Sequence, residues 1–193
     1  MTSDHSQKAL RPVQAAPGVL VHPAADRRLA TEHWLLSTLP APGRARARLE
    51  WEQHDVAILP LGTLFSAVRI PGRLVFALTA TTEPAQLDAF LGEALDGGPV
   101  ICDPHHERYY AVVPASMPRT WHEAVEEWRT WDVDCLGRGS YLGVPRPNIV
   151  GATSSRATYW SVAMDSAAAL CRPLTVARLI AAGRHCLAAE PDA

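Results

Sequence analysis

A chain of 193 residues with 48% hydrophobic content has enough apolar side chains for one buried core, and this length points to one domain. Its 18 basic and 20 acidic side chains leave a net charge of −2, which excludes a histone-like or polybasic protein. Any contact with nucleic acid must come from a local patch. All the basic residues except Lys8 are arginine, which a GC-rich genome explains, so Arg richness is not itself a signal.

The longest apolar stretches, such as Leu74 to Ala80, fall far short of the roughly 20 residues that a membrane helix needs. The first 25 residues lack the basic start and continuous apolar region of a secretory signal. A cytoplasmic protein without membrane contact is therefore expected, with Cys102, Cys135, Cys171 and Cys186 reduced.

Residues 1–23 mix Pro with small polar residues without period and read as a flexible arm. From Ala24 to Leu39, Leu29, Leu35, Leu36 and Leu39 with Trp34 predict an amphipathic helix, which Pro40, Pro42 and Gly43 break. The alternate spacing of Arg44, Arg46 and Arg48 leaves helix and strand open there. Val56 to Pro60 and Leu64 to Ile70 predict two strands around a turn, with Leu74 to Leu78 as a third. Glu83 to Leu95 reads as a helix opened by Thr82 and Pro84, burying Leu87, Phe90, Leu91, Ala94 and Leu95. Pro99 to Cys102 and Tyr109 to Val113 predict strands joined by the polar turn Asp103 to Glu107. Thr120 and Glu123 have the spacing of a capping box before a helix from Trp121 to Trp131, whose Glu123, Glu126, Glu127 and Asp132 read as a solvated face. Strands follow at Ser140 to Val144 and Thr158 to Ala163, then a helix from Thr175 to Ala182 that stops before Gly183. The mixed order gives the α+β class: a central, largely antiparallel sheet flanked by helices in one domain over residues 24–184, with a tail at 185–193.

Cys102, Asp103, His105 and His106, with Cys135, form a cluster of metal-ligand types. Zinc sites pair such ligands at short spacing, and no second pair is present, so the turn reads as a solvated hairpin tip. The chain has no Gly-x-Ser-x-Gly elbow and no Gly-rich phosphate loop, which argues against a hydrolase and against the common nucleotide-binding loops.

The segment Val133-Asp134-Cys135-Leu136-Gly137-Arg138-Gly139-Ser140-Tyr141-Leu142-Gly143-Val144-Pro145-Arg146-Pro147, followed by Tyr159-Trp160, carries an Asp before a Gly-rich turn, a strand, a Pro-rich step and an aromatic strand. Gly98-Pro99-Val100 and Arg108-Tyr109-Tyr110-Ala111-Val112-Val113-Pro114 precede it in matching order. Together these segments resemble the bifunctional DNA primase/polymerase domain of the archaeo-eukaryotic primase superfamily, in the short, divergent form common in actinobacteria. The resemblance covers roughly residues 24–184.

That resemblance implies nucleotidyl transfer with Mg or Mn held by acidic side chains. The chain departs from it where the chemistry resides. Phe65 to Ile70 stands at the place of the catalytic Asp-x-Asp and holds no carboxylate; Arg108 stands at the motif His, and Leu136 replaces an expected Arg. Asp134 alone matches a metal-binding acid, and one carboxylate cannot organise a two-metal site. The expectation is a degenerate, non-catalytic domain without a bound cofactor. Arg69, Arg73, Arg108, Arg138 and Arg146 would hold phosphates of a nucleotide or nucleic acid, and Tyr110, Tyr141 and Trp160 would offer stacking faces. Two alternatives stand beside it: an active nucleotidyl transferase using Asp103, Glu107, Asp132 and Asp134 as relocated metal ligands, and a protein-interaction module on the same scaffold.

Overall fold

The computed structural model describes residues 13–17, 19–21, 23–152 and 157–189. The class is α+β. A five-stranded antiparallel sheet of order β7-β4-β6-β5-β9 is built from β7 (Asp134–Leu136), β4 (Phe65–Pro71), β6 (Arg108–Pro114), β5 (Val100–Asp103) and β9 (Tyr159–Val162). Alternation along these strands sends side chains to two faces. One face carries Val68, Ile70, Val100, Cys102, Tyr109, Ala111, Val113 and Tyr159. Against it pack α3 (Gly72–Thr79), α4 (Pro84–Ala94), α6 (His122–Trp128) and α7 (Pro173–Ala189).

The other face carries Phe65, Ala67, Ile101, Val112 and Trp160. It is covered by α1 (Ala24–Leu36), α2 (Ala41–His54) and an antiparallel ribbon of β3 (Val56–Pro60) with β8 (Tyr141–Pro145). The buried indoles of Trp51 and Trp160 tie this ribbon down by donating Nε1–H to successive β8 carbonyls, Val144 O at 2.9 Å and Pro145 O at 3.0 Å. Residues 13–16 and 19–21, inside the segment read as an arm without regular structure, pair as an antiparallel hairpin of β1 with β2. No helix among the described residues is long and apolar enough to cross a membrane.

Several local expectations are corrected. Leu74 to Leu78 is not a strand but the body of α3. An apolar run of this length does not separate helix from strand by period alone, and Pro71 before it and Ala80 in the left-handed region after it bracket a helix. Arg44, Arg46 and Arg48 lie on α2, whose first turn contains Pro42; proline is tolerated there because the early N–H groups have no helical acceptor. Helix α1 ends at Leu36 rather than Leu39. The Thr120 hydroxyl donates to Ser116 O at 3.2 Å inside the short α5 (Met117–Thr120), so no capping box forms and α6 starts at His122 without a side-chain cap. The C-terminal helix runs through Gly183 to Ala189. A Cβ at Gly183 would stand 2.5 Å from the Leu74 carbonyl oxygen, so glycine there permits α7 to cross α3 closely. Strands β3 and β4 do not form a hairpin with each other: β3 joins β8, and β4 joins β6 and β7.

Candidate functional site

The covering layer of α1, α2 and the ribbon spans only part of its sheet face. Beyond the buried row of Ala67 and Val112, the next outward-pointing side chains on β7, β4 and β6 are Asp134, Arg69 and Tyr110, all partly exposed. Arg69 is paired in register with both neighbours, Tyr110 on one side and Asp134 on the other. One further step along, Arg108 of β6 pairs in register with Asp103 of β5. Period-2 alternation thus gathers residues that lie up to 65 positions apart in the chain.

The electrostatics are those of a compensated cluster. A guanidinium Nη2 of Arg69 donates to the Asp134 carboxylate and lies 3.7 Å from Asp132. Arg108 Nη2 reaches Asp132 at 2.9 Å. Asp132 follows a short 3₁₀ turn, Arg129–Trp131, and adopts φ +61°, which swings its carboxylate back between the two arginines. Arg73, in the first turn of α3, donates to Trp131 O at 3.0 Å at the end of that turn. Asp103 accepts from the backbone N–H of His105 at 3.1 Å and stands 2.8 Å from His106 Nδ1. Burial raises the Tyr110 phenol above its ordinary pKa, the charge of Asp103 adds to this, and Arg69 and Arg108 oppose it. The phenol therefore stays protonated and uncharged at neutral pH.

Of the residues singled out in the sequence, the fold brings together Arg69, Arg108, Tyr110 and Asp134, with Arg73 beside them. The others disperse. Arg138 sits on the exposed loop after β7, where a Cβ on Gly62 (φ +84°) would stand 2.4 Å from its backbone N. Tyr141 and Arg146 lie at opposite ends of the ribbon, Tyr141 at the start of β8 and Arg146 just past its end, donating its N–H to Asp55 O at 2.8 Å. Trp160 is 1% exposed and has no face to offer a base. Asp132 belongs not to a solvated helix face but to the centre of the cluster. Its two-residue spacing from Asp134 was the only sequence sign of that role.

A divalent ion takes several oxygen ligands at about 2.0–2.6 Å. Here the carboxylates of Asp132 and Asp134 converge on guanidinium groups, and Asp103 turns to its own hairpin. Among the described residues no three His, Cys, Asp or Glu side chains come together as a metal set, and this holds for Cys102, Asp103, His105, His106 and Cys135 as well. Among the described residues, this arrangement does not fit Mg or Mn. No family model, no curated protein and no solved structure matches this chain.

Proposed function

We propose that the uncovered end of the sheet is a phosphate-holding surface for a nucleotide or single-stranded nucleic acid, on a degenerate primase/polymerase-like domain that does not polymerise. The observation that carries this reading is the convergence of Arg69 and Arg108 on Tyr110 on the part of the sheet face left open by the second layer, with Arg73 tied to the nearby Trp131 carbonyl. Arginine forks match phosphate geometry, and a phenol at the same place adds a donor and a stacking edge. The segment Phe65 to Ile70, where the resemblance expects catalytic acids, holds no carboxylate, and the guanidinium of its Arg69 supplies Asp134 with a covalently attached positive charge. Phosphate must then compete with Asp132 and Asp134 for the same donors, so binding is weak and sensitive to salt.

This competition gives the test a sign. Anisotropy of a labelled single-stranded oligonucleotide, titrated at low salt with and without Mn²⁺, is expected to show binding that does not depend on the metal. Asp134→Asn should tighten it by roughly three- to tenfold by releasing Arg69, and Arg69→Ala should weaken it. Absence of binding to oligonucleotides and to nucleoside triphosphates overturns the reading. Mn²⁺-dependent triphosphate binding that is lost in Asp134→Asn replaces it with an active nucleotidyl transferase.

A further inference from the structure

One carboxylate of the arginine cluster is placed by a turn rather than by strand register. Helix α6 and the 3₁₀ turn after it end in a Schellman pattern, in which the Val133 N–H donates to Trp128 O at 3.2 Å and the Asp132 N–H to Arg129 O at 3.1 Å. Asp132 takes the left-handed position of that pattern, at φ +61° and ψ +29°. Glycine is the usual residue there, and Asp is one of the few others that tolerate it. The turn is anchored from two sides. Arg73 of α3 donates to Trp131 O at 3.0 Å, and Arg184 of α7 lies 5.2 Å from the centre of the Trp131 ring while pairing with Glu127 at 2.6 Å.

The carboxylate held in this way does what a bound anion would do. It bridges guanidinium groups from the adjacent strands β4 and β6, with Oδ2 at 2.9 Å from Arg108 Nη2 and Oδ1 at 3.7 Å from Arg69 Nη2. The gap between the two arginines thus has the width of one oxyanion. Arg69 Nε is buried and has no acceptor among the described residues, so this guanidinium keeps a donor that neither Asp132 nor Asp134 uses. Asp132 is also the more movable acid. Its side chain is 41% exposed, and a change of rotamer withdraws the carboxylate while the backbone hydrogen bonds of the turn stay in place.

We propose that Asp132 is a tethered stand-in for the anion of the ligand, and that this anion is a phosphate monoester rather than the phosphodiester of a chain interior; the proposal rests on the phosphate-holding reading above. Arg69 and Arg108 bring two positive charges, and Asp132 and Asp134 bring two negative ones. Withdrawal of Asp132 leaves one positive charge over. A tethered group competes at an effective concentration on the order of millimolar or more, so an incoming anion must attract the arginines more strongly than a carboxylate does. A phosphodiester carries the same single charge as that carboxylate and has no advantage over it. A monoester carries about −1.5 to −2 at neutral pH and offers three acceptor oxygens, enough to meet both guanidinium groups at once. A phosphorylated small molecule and the phosphorylated end of a nucleic acid share this chemistry.

The test is a ¹H–¹⁵N NMR titration of the full chain at pH 8 and low salt with methyl phosphate and dimethyl phosphate in parallel. Methyl phosphate is expected to shift the amides of Arg108, Asp132 and Val133 and to bind about tenfold or more tighter than dimethyl phosphate. Asp132→Asn keeps the shape of the side chain, and Asp132→Gly keeps the left-handed turn. Both should tighten methyl phosphate by about tenfold, and Glu126→Gln, which removes an equal charge from the exposed side of α6, by less than about twofold. A nucleoside monophosphate and an oligonucleotide with and without a terminal phosphate then identify the source. Tighter binding of the monophosphate assigns the monoester to a small molecule, and a gain from the terminal phosphate assigns it to a nucleic-acid end; both support the proposal. Equal binding of the two methyl esters, or no tightening in either Asp132 variant, overturns it while the phosphate-holding surface stands. Absence of binding by every phosphate compound, in the parent and in both variants, overturns the two together.

Discussion

Arg69 and Asp134 sit directly opposite each other on adjacent antiparallel strands, and their side chains meet in an ion pair at the uncovered end of the sheet. Each side chain is about a third exposed, 33% for Arg69 and 32% for Asp134, so water screens much of their attraction. The pair therefore sets the character of the surface more than it holds the fold together. Arg69→Ala is expected to lower stability by no more than about 1 kcal/mol, measured by urea denaturation. A loss of about 3 kcal/mol or more would place the pair among the buried structural ones and remove it from the functional surface.

The pH dependence of stability has an identifiable contribution from Asp88. Burial raises its carboxyl above the ordinary value of 3.8, against the opposing hydrogen bonds of Ser161 and Tyr159. A raised folded-state pKa means that the folded protein binds the proton more tightly than the unfolded chain. Its contribution is full below the unfolded value and is lost as pH rises through the folded one. Asp88→Asn keeps an oxygen acceptor for both hydroxyls and removes the titration. The variant should match the parent near pH 3 and gain on it steadily toward pH 7, in denaturation curves measured across that range; a constant difference would assign the effect to packing.

Thiol reactivity separates the cysteines. Burial pushes Cys102 up to about 11 and Cys135 and Cys171 up to about 12, leaving almost no thiolate on any of the three at pH 8. Cys171 is further tied by donating Sγ–H to Pro99 O at 3.3 Å. Iodoacetamide at pH 8, read by peptide mass mapping, should label the partly exposed Cys186 on α7 and spare the other three until the protein is unfolded. Rapid labelling of Cys102 in the folded protein would mean that its environment favours the thiolate.

The crossing of α3 and α7 depends on one missing methyl group. With Leu74 O 2.5 Å and Leu74 Cβ 3.2 Å from a Cβ at position 183, Gly183→Ala must push the two helices apart. Alanine has the better helix propensity by about 1 kcal/mol, but overpacking against backbone costs more, typically about 1–3 kcal/mol. A net fall in melting temperature is expected in calorimetry. A rise would mean that the helices separate without loss.

Trp51 is 1% exposed and its indole N–H satisfies the Val144 carbonyl. Trp51→Phe preserves an aromatic ring but leaves that β8 acceptor without its donor, an expected loss of about 1–3 kcal/mol in chemical denaturation. Amide exchange should rise first in β3 and β8, since this bond joins the ribbon to α2. A loss spread evenly over the molecule would assign the effect to cavity formation.

The elements with a clear period were legible from composition and spacing. Val56 to Pro60, Tyr109 to Val113 and the Leu87/Leu91 stripe after Pro84 are strands and a helix where the pattern puts them, because alternation and i, i+4 spacing report directly on which face is buried. The α2 helix was not legible: only Ala47 and Trp51 of its residues are buried, too narrow a stripe to stand out from three arginines and two prolines nearby. Leu74 to Leu78 was apolar all round and carried no period to read.

By itself, then, the sequence determined the α+β class and placed Arg69 and Tyr110 on strands and Arg108 beside one, whereas Asp134 was read next to a loop, Cys135 to Gly139, and the structure puts it on β7. Only the tertiary structure decided what these residues do to one another. The register of β4 with β6 and β7 turns four distant positions into one cluster, and the left-handed turn at Asp132 brings in a second carboxylate that neutralises the arginines. The same pairing, one residue out of phase, carries Tyr109, Cys102 and Tyr159 to the other face and makes a cavity floor that no local pattern announces. Strand pairing acts between residues far apart in the chain, and a local period carries no record of the partner.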